Sequence, residues 1–437
     1  MKKMVRSLGL AVLICAVLAT GHFATDQKVA QAQEVCDFAN GVLTSSLGNG
    51  INCIDGNGVH PLEIPISFAP TSADDFAICP DTGNLLVLHF FGLAVYDGSS
   101  WSELELPDEA LVTNSLACDA SGQIWIAHTD GVSVYSAGAW TSYGLDVFGT
   151  GEFIYEVSHI RAGTDGSVWA STPESIAQFD GAGAWTVYEG FENIFSIGGL
   201  ALDANNMPVV GYGSGVLTFD GTTFTPHEND WFGGDPVAVA PDGTIWLGSL
   251  TEGVASFDGS TWTVFDRDAG LSSNTVHDVK VDSSGRVWVG TEHGLNVYDG
   301  SAWTIFYQDN SGLADNTVRL VHPLGAPVLP ALVQEAPGSV SGVIVLGRDP
   351  VANTRVELCT ELLGGTFYGD TPCADHAGAM LTTTNDAGEF TFENVPVGRY
   401  EVTIETADGW IYFVGTESEI SVEEGAAVDM GFVDVAQ

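Results

Sequence analysis

Gly294-Leu295-Asn296-Val297-Tyr298-Asp299-Gly300 is the stretch on which the fold turns. Its plan is Gly, an apolar residue, two further residues, an aromatic, Asp, Gly. The same plan runs from Gly92 to Gly98, from Gly215 to Gly221 and from Gly253 to Gly259. Weaker copies begin at Gly50, where Ile54 stands in for the aromatic, at Gly131 and at Ser175. Successive starts lie 42, 39, 44, 40, 38 and 41 residues apart. A period near 40 means that each copy is one supersecondary unit of a repeat fold.

Working outward, an apolar–Trp–apolar triplet precedes four of the copies, at Ile124-Trp125-Ile126, Val168-Trp169-Ala170, Ile245-Trp246-Leu247 and Val287-Trp288-Val289. After the Asp-Gly pair comes a second aromatic: Trp101, Trp140, Trp185, Phe224, Trp262 or Trp303. An apolar segment such as Val276 to Val281 opens the unit. Each unit therefore reads as four short strands, with Asp-Gly as the tight turn between the third and fourth. Four strands per 40 residues is the arithmetic of a β-propeller blade. The Trp residues read as filler between blades. The copy at Gly50 has a second strand at Val42-Leu43-Thr44 and a final strand over 61–64, but no first strand. Asn316-Thr317-Val318-Arg319-Leu320-Val321 repeats the opening Asn274-Thr275-Val276 pattern and has no successors. The two ends are expected to complete one blade and close the ring, which removes the exposed sheet edges.

Leu271 to Val276, Asp282 to Gly290 and Thr291-Glu292-His293-Gly294-Leu295-Asn296-Val297-Tyr298-Asp299 resemble the two-component regulator propeller repeat. The likeness is close over residues 271–300 and looser over about 42–322. It implies a periplasmic sensor propeller that feeds a kinase module, yet no kinase segment follows. A Pro-rich stretch, 323–337, then reads as a stiff linker. Beyond it Thr384-Asn385-Asp386-Ala387-Gly388-Glu389-Phe390-Thr391-Phe392 and Val395 to Tyr400 resemble carboxypeptidase regulatory-like domains. That resemblance implies a transthyretin-like sandwich, an accessory module that does not itself cut peptides. The expected class is all-β: a seven-bladed β-propeller over 33–322 followed by a small antiparallel β-sandwich over 338–437.

Lys2, Lys3 and Arg6 ahead of an apolar run from Leu8 to Leu18 read as a signal peptide, residues 1–32, with a cleavage site at Ala30-Gln31-Ala32 and Ala19-Thr20-Gly21 as the competing site. No later segment is long and apolar enough to span a membrane, so secretion to the periplasm or the outside is expected. Twelve Lys+Arg face 57 Asp+Glu, a net charge of −45. Such a balance argues against nucleic acid and anionic membranes as partners. Cys36, Cys53, Cys79, Cys118, Cys359 and Cys373 remain after export and are disulfide candidates; nearness in sequence suggests Cys36 with Cys53 and Cys359 with Cys373, leaving Cys79 and Cys118, among 15 connectivities that stay open.

No catalytic constellation emerges. His60-Pro61-Leu62-Glu63 has zinc-carboxypeptidase spacing but no third ligand. His89, His128 and His293 follow the second strand in three units and, with Glu292 and Trp231, mark a candidate ligand-binding loop face. Asp230, Asp266, Asp268, Asp309 and Asp315 sit in inter-blade loops, but no D-x-D-x-D-G loop specifies calcium. Cofactors are expected to be none, with Ca²⁺ the one ion such loops would suit. The preferred function is a non-enzymatic binding protein for a glycan, peptide or small molecule, sensor-like or adhesive. The rival is a secreted propeller lyase or hydrolase using the same face, and a third reading is a purely structural surface protein.

Overall fold

The computed structural model describes residues 36–38, 40–46, 50–64, 72–90, 92–110, 112–149, 154–189, 191, 197–229, 234, 236–267, 269–330, 337–359, 380–395, 398–406, 409–412, 419–423 and 425–435. The expected signal peptide, Trp231, Asp230, Asp268 and Cys373 lie outside them. Seven sheets of four antiparallel strands follow one another along the chain. Blade 1 comprises Asp75–Ile78, Leu85–His89, Gly92–Tyr96 and Trp101–Leu104. Blades 2 to 6 repeat the pattern with first strands at Thr113–Cys118, His159–Ala162, Ile197–Leu202, Val237–Val239 and Val276–Val281. Blade 7 is assembled from both ends, in the order Leu320–Pro323, Val42–Ser46, Gly50–Asp55, Gly58–Pro61. The chain is thus a seven-bladed β-propeller followed by a small β-sandwich.

The closing blade differs in detail from its sequence reading. Its first strand is Leu320–Pro323, with Val42 opposite Pro323 and Ser45 opposite Leu320. Residues 316–319 lead into it as a loop. Pro323 therefore ends a strand before the linker starts; lacking an N–H, Pro is tolerated at such a terminus. The last strand begins at Gly58, ahead of the expected residue 61, because Gly56-Asn57 turn the chain at once.

Each blade is held by the residues the repeat singles out. Asp97 Oδ1 accepts the N–H groups of Ser99 (2.9 Å) and Ser100 (2.8 Å), and Asp299 does the same for Ser301 and Ala302. These are Asx turns, in which a short carboxylate replaces a backbone acceptor. The Ser99 hydroxyl, which also donates to Asp97 Oδ1 (2.8 Å), and the Ser99 and Ser100 N–H groups hold the Asp97 carboxyl down to about 2. Across the turn the two aromatics meet: Tyr96 on Trp101 at 5.1 Å, Phe219 on Phe224 at 4.4 Å, Tyr298 on Trp303 at 5.0 Å. Second-strand Trp residues fill the gaps between blades. Trp288 packs with Val42, Ile54, Val318 and Val321 of blade 7, and Trp125 with Ile160 and Val168 of blade 3. Two of the indole N–H groups are satisfied inside the blade, Trp288 on Asp282 (3.0 Å) and Trp125 on Asp119 (2.9 Å), while that of Trp169 is buried without a partner among the described residues.

First strands also tie blade to blade. Asp75 Oδ2 accepts the Leu116 N–H (2.9 Å), Ser115 Oγ that of Ile160 (3.3 Å), and Asp278 Oδ2 that of Val321 (2.9 Å). Two disulfides add covalent links, Cys36–Cys53 and Cys79–Cys118. The second joins the first strands' ends of blades 1 and 2. Cys359 is also oxidised.

In the sandwich, Gly338–Leu346 pairs with Glu389–Val395 and Asp349–Pro350, while Arg355–Cys359, Met380–Thr383, Gly398–Thr406, Gly409–Tyr412 and Glu419–Val422 form the second sheet. Val340, Ile344, Leu358, Phe390, Phe392 and Val402 fill the space between. One sheet is not antiparallel as expected: Ala427–Asp434 runs parallel to Gly338–Leu346. The chain reaches that strand from the other sheet, and a crossover, unlike a hairpin, permits parallel pairing.

Candidate functional site: the channel mouth

Antiparallel order fixes which end of the propeller carries which loops. First strands start, and second strands finish, at one end; the Asx turns lie at the other. At the first end a cleft of about 500 Å³ opens on the axis. Blade 7 contributes Ser45, Ser46, Arg319 and Leu320; blade 1 Ser72, Ala73 and Asp74; blade 2 Thr113 and Asn114; blade 3 Glu156, Ser158 and His159. Four blades thus build one polar concavity out of residues at the starts of their first strands and, in blade 7, at the end of the second strand as well.

Its carboxylates are ordered by neighbours. Asn114 Nδ2 donates to Glu156 Oε2 (3.2 Å) and Ser158 Oγ to Glu156 Oε1 (3.4 Å). Thr113 Oγ1 donates to Asp74 Oδ2 (3.2 Å), while burial pushes the Asp74 carboxyl up. Beneath the mouth lies a charged floor. Arg161 of blade 3 reaches Asp75 of blade 1 at 3.6 Å and Ser115 Oγ at 2.7 Å, a span that passes blade 2 because first strands converge on the axis. Lys280 pairs with Asp278 at 2.5 Å. Burial raises the Asp278 carboxyl, against the pull of Lys280.

His322, on the closing strand, joins this floor. Burial, with the Lys280 charge nearby, lowers its pKa from 6.5 to about 4. Burial likewise lowers His89, His128 and His277. The unfolded chain binds protons that these folded imidazoles refuse, so their contribution to stability is complete above pH 6.5 and is lost as pH falls. For His322 the window runs from 6.5 to about 4 and is worth about 3 kcal/mol. The raised carboxyls of Asp74 and Asp278 act in the opposite sense, losing stability as pH rises through the carboxylate range. His322→Gln is expected to flatten the fall in urea midpoint between pH 6.5 and 4; an unchanged slope would show that His322 is not the group responsible.

The residues expected from sequence are distributed differently. His89 and His128 end second strands, opposite Gly92 and Gly131, and are buried. Each faces its own blade: His128 Nε2 meets Ser133 Oγ at 3.0 Å, and the charge of Glu103 acts on His89. His293 is not their equivalent. Thr291 holds that register, opposite Gly294, and His293 sits two residues on, in the turn. None of the three lines the cleft. Glu292 is exposed beside blade 7, its carbonyl accepting the Thr317 hydroxyl at 3.4 Å. His60 meets Asp55 at 3.3 Å across its own turn. Asp266 and Asp315 accept from nearby backbone N–H groups, Ala269 and Thr317. Among the described residues the one cluster with metal-ligand geometry is Cys79, Asp81 and Cys118, whose sulfurs are bonded to each other. Sequence reasoning missed Asp74, Thr113, Asn114, Glu156, His159 and Arg319.

Among the described residues no helix is long and apolar enough to cross a membrane. No curated protein matches the chain. Among solved structures it is similar to a streptogramin B lyase, at 14% identity over 62% of this chain and 95% of that one, TM-score 0.49. It is similar to PorZ, a surface component of the type-IX secretion system of Porphyromonas gingivalis, at 15% identity over 84% of this chain and 62% of that one, TM-score 0.45. It is also similar to the extracellular domain assigned to a hybrid two component system of B. thetaiotaomicron, at 18% identity over 60% of this chain and 44% of that one, TM-score 0.36. These likenesses concern the fold alone, and the propeller assignment rests on the strand pairing. Residues 270–293, which run into blade 6 and through its second strand, match the two component regulator propeller family.

Proposed function

We propose that this chain is a secreted binding protein whose propeller takes a polar ligand at the channel mouth. The cleft of about 500 Å³ carries the reading, because four blades contribute to it and polar side chains predominate in its lining. Concave sites of this size with a few oriented polar groups are the usual form of a small-ligand or chain-end site. Two disulfides support an oxidising compartment and hence export. The sandwich is proposed as a carboxypeptidase regulatory-like accessory module. Its Asn385 side chain accepts from Ala387 and Glu389 at the turn on which that resemblance rests. The lyase or hydrolase alternative needs its histidines brought together, and His89 and His128 instead face the interiors of separate blades.

Calorimetry with short peptides and oligosaccharides, in Ca²⁺ and in EDTA, tests the proposal. Ser158→Trp, which fills the mouth, is expected to weaken binding by about a hundredfold or more while the melting temperature holds within a few degrees. Binding indifferent to Ser158→Trp would move the site elsewhere. Conversion of a bound probe, followed by NMR, would favour the enzymatic reading.

A further inference from the structure

We infer that the mouth captures the free carboxylate end of a peptide, with Arg319 as its anchor. This deepens, and rests on, the reading of the mouth as a binding site.

The first argument is scarcity. Beyond residue 32 the chain has eight Lys+Arg, five of them in the propeller: Arg161, Arg267, Lys280, Arg286 and Arg319. Arg161 pairs with Asp75, Lys280 with Asp278 and Arg286 with Asp282. Arg319 is exposed on the wall of the cleft, and among the described residues its guanidinium has no ion pair and no hydrogen bond. In a chain of net charge −45, a guanidinium without a carboxylate at the one concavity described is a vacancy for an anion. Its planar fork matches a carboxylate bidentately. Neither of the mouth's own carboxylates forms an ion pair with it; Glu156 is oriented by Asn114 and Ser158, and Asp74 by Thr113.

The second argument is the rim. Phe90 (72% exposed), Val112 (50%) and Tyr155 (63%) all project at the mouth end, on the loops of blades 1 to 3. Val112 and the Tyr155 segment flank the same turn of blade 2: the Thr129 N–H donates to the Val112 carbonyl (3.1 Å) and the Val157 N–H to the His128 carbonyl (3.2 Å). Apolar groups ringing a mouth that carries an unpaired guanidinium suit a peptide, whose side chains cover the rim while its terminus enters. A sugar acid would gain from stacking on Tyr155 but nothing from Val112. A polyanion is repelled by the acidic remainder of the molecule, whereas a single carboxylate can offset that repulsion through one close ion pair with Arg319. Terminal-carboxylate capture is a recognised mode of peptide binding.

An array of pentapeptides anchored at their N-termini, made with free and with amidated C-termini, tests this on the full chain, with soluble digalacturonate as competitor. Free-acid peptides with apolar residues are expected to be retained, and amidation to weaken them by about tenfold or more. Arg319→Ala should erase the difference between acid and amide without lowering the melting temperature, and Arg319→Lys should restore part of it. Equal retention of acids and amides, or a preference that survives Arg319→Ala, overturns the inference while binding still blocked by Ser158→Trp leaves the mouth as the site. Digalacturonate binding tighter than that of every free-acid peptide also overturns it, in favour of a sugar acid. Retention of no probe at all overturns it outright.

Discussion

Removing residues 319–323 is expected to destabilise all seven blades, and not merely the one those residues belong to. The deletion takes out the first strand of blade 7 and leaves the Val42–Ser46 edge unpaired along the axis. Buried Val321 goes with it, Asp278 loses the N–H it accepts, and the wall around Trp288 opens. Lost apolar burial and ladder bonds together come to about 5 kcal/mol or more, comparable with the whole stability of many domains. A fall in melting temperature of more than about 10 °C follows. The informative measurement is hydrogen exchange. In a closed ring every blade borrows a wall from the next, so peptides from blades 2 and 3, covering 124–136 and 168–179, should lose protection along with those of blades 6 and 7. An open array would confine the loss to the cut end, as in linear repeat proteins whose units contact only their neighbours. Protection lost only in blades 6 and 7 would show that the ends are joined without being cooperative.

The fold was legible because its devices recur at a fixed interval. The aromatic, Asp and Gly return at most of the outer hairpins, and a second-strand Trp returns in four of the seven blades to fill the gap to the next. Even the closure could be read, because Asn316-Thr317-Val318 copies Asn274-Thr275-Val276. Strand limits were less visible. A Pro at 323 signals a break in isolation, yet at the last position of a strand its missing N–H costs nothing. The parallel strand Ala427–Asp434 also escaped notice, since local pattern carries no information on direction.

The site was harder to read, for a physical reason. Its residues come from four blades, one repeat apart, at positions where the repeat does not constrain identity. Histidine drew attention because it is chemically versatile, but counting back from the glycine of each unit separates the three candidates. His89 and His128 precede theirs by three residues and end a strand, whereas His293 precedes Gly294 by one and lies in a turn. The signal that could have found the mouth was scarcity of positive charge. Of eight cations beyond the signal peptide, Arg161, Lys280 and Arg319 gather on or beside first strands, where the blades converge.

Asp278→Ala should cost about 3 kcal/mol, and the comparison with Asp278→Asn should say why. Asp278 is 3% exposed and carries three duties at once: its Oδ1 receives Lys280 (2.5 Å) and the Val279 N–H (2.9 Å), and its Oδ2 receives the Val321 N–H (2.9 Å). Alanine abandons all of them, leaving a buried N–H on the closing strand unmade and the Lys280 ammonium without its carboxylate. Asparagine keeps an oxygen for Val321 but turns its NH2 toward Lys280 and the Val279 N–H, so it gives up those two bonds with the charge, and its loss should be about 2 kcal/mol. Lys280→Met on its own strands the carboxylate in a site that already raises its pKa. Adding Lys280→Met to Asp278→Ala should therefore cost less than the two changes made separately, with a coupling of about 1–3 kcal/mol. Urea unfolding of the four variants at pH 7 measures each term. Equal losses for alanine and asparagine would mean that the ion pair, and not the bond to Val321, carries the energy. Strict additivity would mean that the pair carries none. The expected pattern, a larger loss for alanine than for asparagine, makes Asp278 a clasp at the seam: it holds the strand that ends the ring.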